Sequence, residues 1–510
     1  MLLYEIAETS RTLAETSARL KKIDMLASCL RRLRPDEVRV AVDYLSGELP
    51  QGSIGIGWAY IRGLPEGAAR APSLQILDVD EALSRIATAT GRGSQAARRR
   101  ELADLYGRAT EQEQRFLTAL LLGELRQGAL EGLMIEAIAR AAGVASSDVR
   151  RAFMVAGDLS EVATAAIANG RDGLANFALT LLRPLQPMLA QTATDLQGAM
   201  TRVHPAAVEW KVDGARIQAH KAGDEVRIFT RNLADISARV PEIVEALHTL
   251  PVKAVILDGE AIALRENGRP HPFQVTMSRF GSRLGVEELR RSVPLSTFFF
   301  DCLHLDGDDL IDFPCARRFD ALAKRLPGDL IVPRMVARDG EEAEPFLESA
   351  LSRGHEGVMV KALDAPYEAG RRGAGWVKVK KAHTLDLVVL AAEWGHGRRQ
   401  GWLSNLHLGA RDTEGEGYVM LGKTFKGMTD DMLAWQTERL LELETGRAGI
   451  VVHVRPELVV EVAFDGVQRS SRYAGGLALR FARIKGYRHD KTPQDADTID
   501  AVRAAYTGDS

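Results

Sequence analysis

Two prolines, in the run Arg183-Pro184-Leu185-Gln186-Pro187, split this chain into halves that cannot share one architecture. Proline lacks an amide N–H and fixes φ, so a helical pattern ends there. Before the prolines, to about residue 183, apolar residues recur three and four apart. Leu20, Ile23, Leu26, Leu30 and Leu33 form one stripe. Phe116, Leu117, Leu120, Leu121, Leu133, Ile135 and Ile138 form another within 111–143. That spacing predicts amphipathic helices packed on one another. Gly123-Glu124-Leu125-Arg126-Gln127-Gly128 predicts a helix–helix turn, and Arg98-Arg99-Arg100 reads as a solvated face.

Beyond the prolines the period shortens to two. Residues 207–220 and 225–231 predict two strands joined by the turn Ala222-Gly223-Asp224. Val255-Ile256-Leu257 and Ser296-Thr297-Phe298-Phe299-Phe300 predict further strands, with helices near 240–250 and 316–326. From about Thr384, strands are predicted at 385–391, 406–410, 418–421 and 458–464, with a helix near 429–444. Five or so short strands and one helix are compatible with an OB-type barrel. A length of 510 residues fits two to four domains.

A formal net charge of −3 gives no overall pull toward nucleic acid, so any such binding rests on local basic patches. Cys29, Cys302 and Cys315 are too few and scattered for a disulfide framework or a four-cysteine zinc site. That usage suits a reducing compartment. The start, Met1-Leu2-Leu3-Tyr4-Glu5, lacks the charged and apolar regions of a signal peptide, and no run approaches a membrane span. A cytoplasmic location is the expectation.

The lysines carry the chemistry. The chain has 14 Lys against 52 Arg, and none between Lys22 and Lys211. Arginine serves wherever a plain positive charge suffices, but it cannot replace lysine as a nucleophile. Lys211 lies in Glu209-Trp210-Lys211-Val212-Asp213-Gly214-Ala215-Arg216. Such a lysine can attack phosphorus, the glycine permits a tight turn and the arginine offers a fork of donors to sugar or phosphate. Five further segments recur at predicted strand ends: Thr230-Arg231-Asn232, Leu257-Asp258-Gly259-Glu260, Phe298-Phe299-Phe300-Asp301, Glu356-Gly357-Val358-Met359-Val360-Lys361 and Trp376-Val377-Lys378-Val379-Lys380. Individually these read as turns, core aromatics or wet edges. Together they supply a nucleophile, acidic groups for a divalent metal, a stacking ring and cations for a triphosphate.

On these six runs, and on Arg480-Phe481-Ala482-Arg483-Ile484-Lys485 with Asp490-Lys491 after it, the sequence resembles an ATP-dependent DNA ligase. The family often has Pro where Ala482 stands. The resemblance implies three domains of the archaeal and eukaryotic replicative type, also found in bacteria. These are an all-α DNA-binding domain (1–190), an α+β nucleotidyltransferase or adenylation domain (191–383) and a β-barrel OB-fold domain (384–510). It implies ATP and Mg²⁺ or Mn²⁺ as cofactors and nicked duplex DNA as substrate. The helical domain would grip DNA through phosphates, with salt-sensitive affinity.

The resemblance also implies roles. Lys211 becomes a lysyl-AMP, Glu209 reads the adenine and Phe300 stacks on it. Arg216 and Glu260 bind the ribose side. Arg231, Arg372, Lys378 and Lys380 hold phosphates. Glu356 and Glu260 organise metal. Arg480, Arg483 and Lys485 close over pyrophosphate, about a hinge near residues 381–385. Neighbouring Lys378, Lys380 and metal would favour a neutral Lys211. A monomer is expected, nucleoid-associated in a bacterium. A sliding clamp or repair proteins are candidate partners that the sequence leaves unnamed, as it leaves open a place in replication, repair or recombination. An RNA ligase, an mRNA-capping nucleotidyltransferase and a catalytically silent DNA-binding relative are the alternative readings.

Overall fold

The computed structural model describes residues 1–64, 67–125, 127, 131–282, 284–368, 372–380, 383–415 and 417–506, with backbone alone at 372–374 and 398. Among the described residues up to Ala175 there are ten helical elements, from Leu3–Glu15 to Leu159–Ala175, the last kinked at Gly170, around a shared apolar core. Ile23, Leu26 and Leu30 are buried along Arg19–Leu30 and Leu33 just beyond it, but Leu20 is 66% exposed. Leu20 sits in the first turn, ahead of the packed face. The stripe over 111–143 belongs to two helices, Glu111–Leu121 and Glu131–Ala142. Thr110 and Glu113 close a reciprocal cap on the first of them. Gly123 turns the chain after it at φ 65°. Arg126 and Gly128 of the expected turn lie outside the described residues.

The middle of the chain forms two five-stranded sheets. Its strands are β1 (Leu189–Ala193), β2 (Ala206–Lys211), β3 (Ala215–Ala222), β4 (Glu225–Thr230), β5 (Ala254–Ala263), β6 (Leu295–Leu305), β7 (Asp308–Asp309), β8 (Arg334–Ala337), β9 (Gly357–Ala362) and β10 (Arg372–Lys380). The first sheet runs β1-β10-β9-β2-β8 and the second β4-β3-β5-β6-β7. The single strand expected over 207–220 is therefore two strands in different sheets. The chain crosses between them at Val212-Asp213-Gly214. A Cβ on Gly214 would lie 2.4 Å from the Ala261 carbonyl oxygen and 2.8 Å from Glu260 Cγ, so only glycine fits the crossing. The helices expected near 240–250 and 316–326 are Pro241–His248 and Cys315–Arg325.

Among the described residues the last part has nine strands rather than about five: β11 (His383–Trp394), β12 (Leu403–Arg411), β13 (Tyr418–Thr424), β14 (Glu444–Ala448), β15 (Val451–Val454), β16 (Val459–Phe464), β17 (Gly466–Arg469), β18 (Leu477–Arg480) and β19 (Arg483–Tyr487). Four- and five-residue strands such as β14 and β15 are too short to display a period. A second helix, Ile499–Ala504, joins the expected Asp430–Glu442. Their core runs from Leu385 to Val502. Among the described residues no helix is long and apolar enough to cross a membrane.

One apolar cluster joins the helical part to the sheets. Met154 and Val155 pack with Leu185, Met188, Ile256, Leu303, Tyr367 and Trp376, and Phe300 and Met359 border the group.

Candidate active site

Both five-stranded sheets line a cavity of about 570 Å³. Glu209, Lys211, Arg216, Arg231, Glu260, Phe300, Glu356, Lys378 and Arg480 all face it. Lys211 ends β2 and Arg216 lies near the start of β3, so the crossing at Gly214 puts one short motif on both walls. Glu356 leads into β9, where Gly357 has φ 141° and a Cβ would sit 2.2 Å from the Val379 carbonyl oxygen. That close approach brings β9 and β10 together beneath Lys211. Glu260 and Phe300 lie inside β5 and β6, not at strand ends as expected. Residues far apart in sequence still meet there because β5 pairs with β6 and Glu260 registers with Phe298.

At the buried end, Glu209 is 1% exposed. Its carboxylate meets Lys361 Nζ at 2.6 Å and Arg334 at 3.3 Å. Lys361 also donates to the Phe300 carbonyl oxygen at 3.0 Å. Its ammonium sits 4.5 Å from the Phe300 ring centroid and 4.3 Å from that of Trp376. Phe300 and Trp376 meet edge to face at 5.7 Å. The result is an aromatic slot beside a paired, hydrogen-bonding carboxylate.

The middle of the cavity is acidic. Glu356 Oε2 lies 2.6 Å from Lys211 Nζ and 2.6 Å from Lys380 Nζ. Burial pulls the Lys211 amine down, but the charges of Glu356, Glu260 and Asp213 outweigh it and hold the amine above its ordinary value. The setting thus keeps Lys211 protonated, contrary to the expectation that its neighbours favour the neutral form. Lys380, one of the cations expected to act this way, is engaged by the same Glu356 oxygen. Burial pushes Glu260 up to about 8 against the pull of Lys211 and Arg216. Burial and the charge of Glu356 push Asp213 up to about 6. Glu356 itself is held down at about 2: burial opposes this, and Lys211 and Lys380 prevail.

The C-terminal part closes the mouth. Arg480 lies 3.7 Å from Asp213 and its guanidinium 4.5 Å from the Phe273 ring centroid. Lys380 reaches Asp465 at 3.3 Å, and Arg483 reaches the same residue at 3.7 Å.

Three family models match the chain: "DNA ligase N terminus" over 59–139, "ATP dependent DNA ligase domain" over 187–380 and "ATP dependent DNA ligase C terminal region" over 399–491. A "Probable DNA ligase" of Anaeromyxobacter dehalogenans (strain 2CP-1) is 60% identical over 513 residues, covering all of both chains. The chain belongs to the ATP-dependent DNA ligase family. A "Probable DNA ligase" of Sorangium cellulosum (strain So ce56) is 54% identical, covering all of this chain and 96% of its own. A solved structure titled "Pmar-Lig_PreS3" shares the fold at TM-score 0.62 and 18% identity, covering 95% of this chain and 99% of its own. The enzyme is an ATP-using DNA ligase, and its reaction joins DNA strands.

In this ligase some expected residues stand apart from the cavity. Lys380 touches it only through Glu356, Arg483 lies outside it, and Lys485 is exposed. The Arg372 side chain, and residues 381 and 382 of the expected hinge, lie outside the described residues. Arg216 lines the cavity, yet its fork is occupied. Nε and Nη2 donate to Asp258 at 3.0 and 2.6 Å, and Nη1 donates to the Met188 carbonyl oxygen at 2.6 Å. Tyr367 completes the group: its hydroxyl donates to Asp258 at 2.7 Å and accepts from the Met188 amide at 3.1 Å. Sequence reasoning gave no role to Tyr367, Arg334, Asp213 or Lys361. Only Asp213 and Lys361 carried a signal, being inside quoted runs. Arg334 and Tyr367 are isolated in sequence and are revealed by pairing alone.

Proposed function

We propose that Lys211 is the nucleophile that accepts AMP from ATP, that the AMP passes to the 5′-phosphate at a nick in duplex DNA, and that the adjacent 3′-hydroxyl displaces it. The supporting observation is the position of Lys211 Nζ, 2.6 Å from Glu356 and between the aromatic slot and the closing Arg480. The amine must lose its proton before attack, so its ion pair with Glu356 Oε2 has to be loosened first. Glu209, Lys361 and Phe300 suit a purine: a hydrogen-bonding edge beside a ring face. Lys378, Lys380, Arg231, Arg372, Arg480 and Arg483 would hold phosphates. Arg216, tied to Asp258, would shape the ribose side, with Glu260 opposite.

Among the described residues no group of three or more His, Cys, Asp and Glu is arranged to hold a metal by itself. The partly buried carboxylates of Glu260 and Glu356 are nonetheless hard oxygen donors of the type that suits Mg²⁺ or Mn²⁺. Those two residues would hold the ion. When bound, it would neutralise phosphate charge.

A division into an all-α DNA-binding domain (1–190), an adenylation domain (191–383) and an OB-fold domain (384–510) is supported by a main apolar core within each part, with β1 running across the first boundary and one cluster bridging it. The free, buried Cys29, Cys302 and Cys315 suit a reducing, cytoplasmic setting. The test is incubation with metal and ATP labelled at the α-phosphate, followed by denaturation. Label on the protein that is lost in Lys211→Ala and discharged into a sealed strand by nicked DNA supports the reading. A wild-type protein that takes no label overturns it.

A further inference from the structure

Glu209 is fixed from both neighbouring strands. β2 lies between β9 and β8, and β8 is the edge of the first sheet. Glu209 registers with Met359 on β9 and with Arg334 on β8. Arg334 Nη1 donates to Glu209 Oε1 at 3.3 Å, while Lys361 holds Oε2 at 2.6 Å. The Arg334 side chain is 7% exposed and lies outside the cavity that Glu209 faces. Its guanidinium sits 3.9 Å from the ring centroid of Phe319, on the helix Cys315–Arg325. The preceding residue of that helix, Arg318, grips Asp301 through hydrogen bonds of 2.7 and 3.0 Å. Asp301 directly follows Phe300. One helix therefore braces both sides of the slot, the ring through Asp301 and the carboxylate through Arg334.

A carboxylate held by two cations offers only acceptors to a third partner. It suits a purine that carries an amino group at position 6 and turns away one that carries an oxygen there. Such selection needs the acceptor to be aimed. Lys361 alone would fix one oxygen and leave the group free to turn about it. Arg334 fixes the other oxygen, and its planar fork is in turn restricted by the ring beneath it. We propose that Arg334, stacked on Phe319, is a positioning residue that aims Glu209 at the purine 6-amino group and so sets the ligase's preference for that group. The inference rests on Glu209 reading the base, as proposed above. Arg334 does not line the cavity, so it acts through Glu209.

The test is self-adenylation of the full-length ligase, read from the mass of the protein. It compares ATP with purine riboside triphosphate, which lacks the 6-amino group. Wild type should favour ATP by about tenfold or more in kcat/KM, the effect of a hydrogen bond to a charged group. Arg334→Met keeps a stem on Phe319 and removes the charge, and in it the ratio should fall to about threefold or less. The fall should come from a higher KM for ATP, with the KM for the analogue and both maximal rates unchanged. A merely structural loss would weaken both nucleotides alike and leave the ratio in place.

Lys361 still pairs with Glu209 in the Met variant, so no buried charge is stranded, and a thermal unfolding curve checks the fold. If that variant does not fold, Phe319→Leu, which loosens the guanidinium without removing it, is read by the same ratio. An unchanged ratio in the folded variant overturns the proposal. Wild type that uses both nucleotides equally overturns the Glu209 reading beneath it instead, before any variant is compared.

Discussion

One oxygen, Glu356 Oε2, holds both Lys211 and Lys380 at 2.6 Å. This sets the protonation problem of the enzyme, because the proposed nucleophile is paired with the charge that keeps it inert. Removing that charge should release the amine. In Glu356→Gln the adenylation rate will be lower, but its pH midpoint should move to lower pH, since the charge that raises Lys211 is gone. A labelled-AMP rate profile across pH measures it, and an unmoved midpoint would exclude Glu356 as the cause. Much of this site was legible in the sequence. A chain that otherwise uses arginine marks its lysines, and Lys211, Lys361, Lys378 and Lys380 all reach the site or its immediate support. The protonation state was not legible, because it depends on carboxylates brought from β5 and from the turn before β9. Arg216 was legible as a site residue, but its fixed partners Asp258, Met188 and Tyr367 were not.

Among elements, the crossing between β2 and β3 matters most. Alternation continues through Val212-Asp213-Gly214 as if a single strand ran on, so period alone conceals a change of sheet. The glycine is the one local sign. Gly214→Ala should clash with the Ala261 carbonyl oxygen and spread the cleft, at a cost of about 2–4 kcal/mol. Denaturant unfolding should show that loss, together with a rise in KM for ATP. Normal stability in the variant would mean that the crossing can shift freely. Helices were read more reliably than strands. A 3.6-residue stripe survives over a dozen residues, whereas β14, β15, β17 and β18 span four or five and carry no periodic signal.

For the whole molecule, the docked C-terminal part and the strap of residues 176–188, between the last helix of the helical part and β1, set the behaviour. Arg480 contacts Asp213 at the cavity mouth. Arg480→Ala should slow self-adenylation at least tenfold, a loss of about 1.4 kcal/mol, while a pre-adenylated nick is sealed at close to the normal rate. Equal slowing of both would place Arg480 in a general structural role. The strap is pinned where the Leu182 amide donates to His220 Nδ1 at 3.0 Å, with Gln218 on the other ring nitrogen at 2.9 Å. Burial pushes His220 down to about 3. The unfolded chain therefore takes up a proton first. Stability from this ring is full above about pH 6.5 and is lost as pH falls toward 3, at up to about 1.4 kcal/mol per unit. Thermal melts of wild type against His220→Gln isolate that slope, and parallel curves would deny it.

The cluster that joins Met154 and Val155 to Met188, Tyr367 and Trp376 has a consequence for any shortened form. The rear surface of the Phe300–Trp376 slot is covered by the helix Ser146–Ala156 of the helical part. A fragment beginning after the prolines would bare oily side chains behind its own nucleotide wall. Such a fragment would need new residues there to remain dispersed in water. This ligase is therefore a single casting in which the helical part is also the back of the cavity.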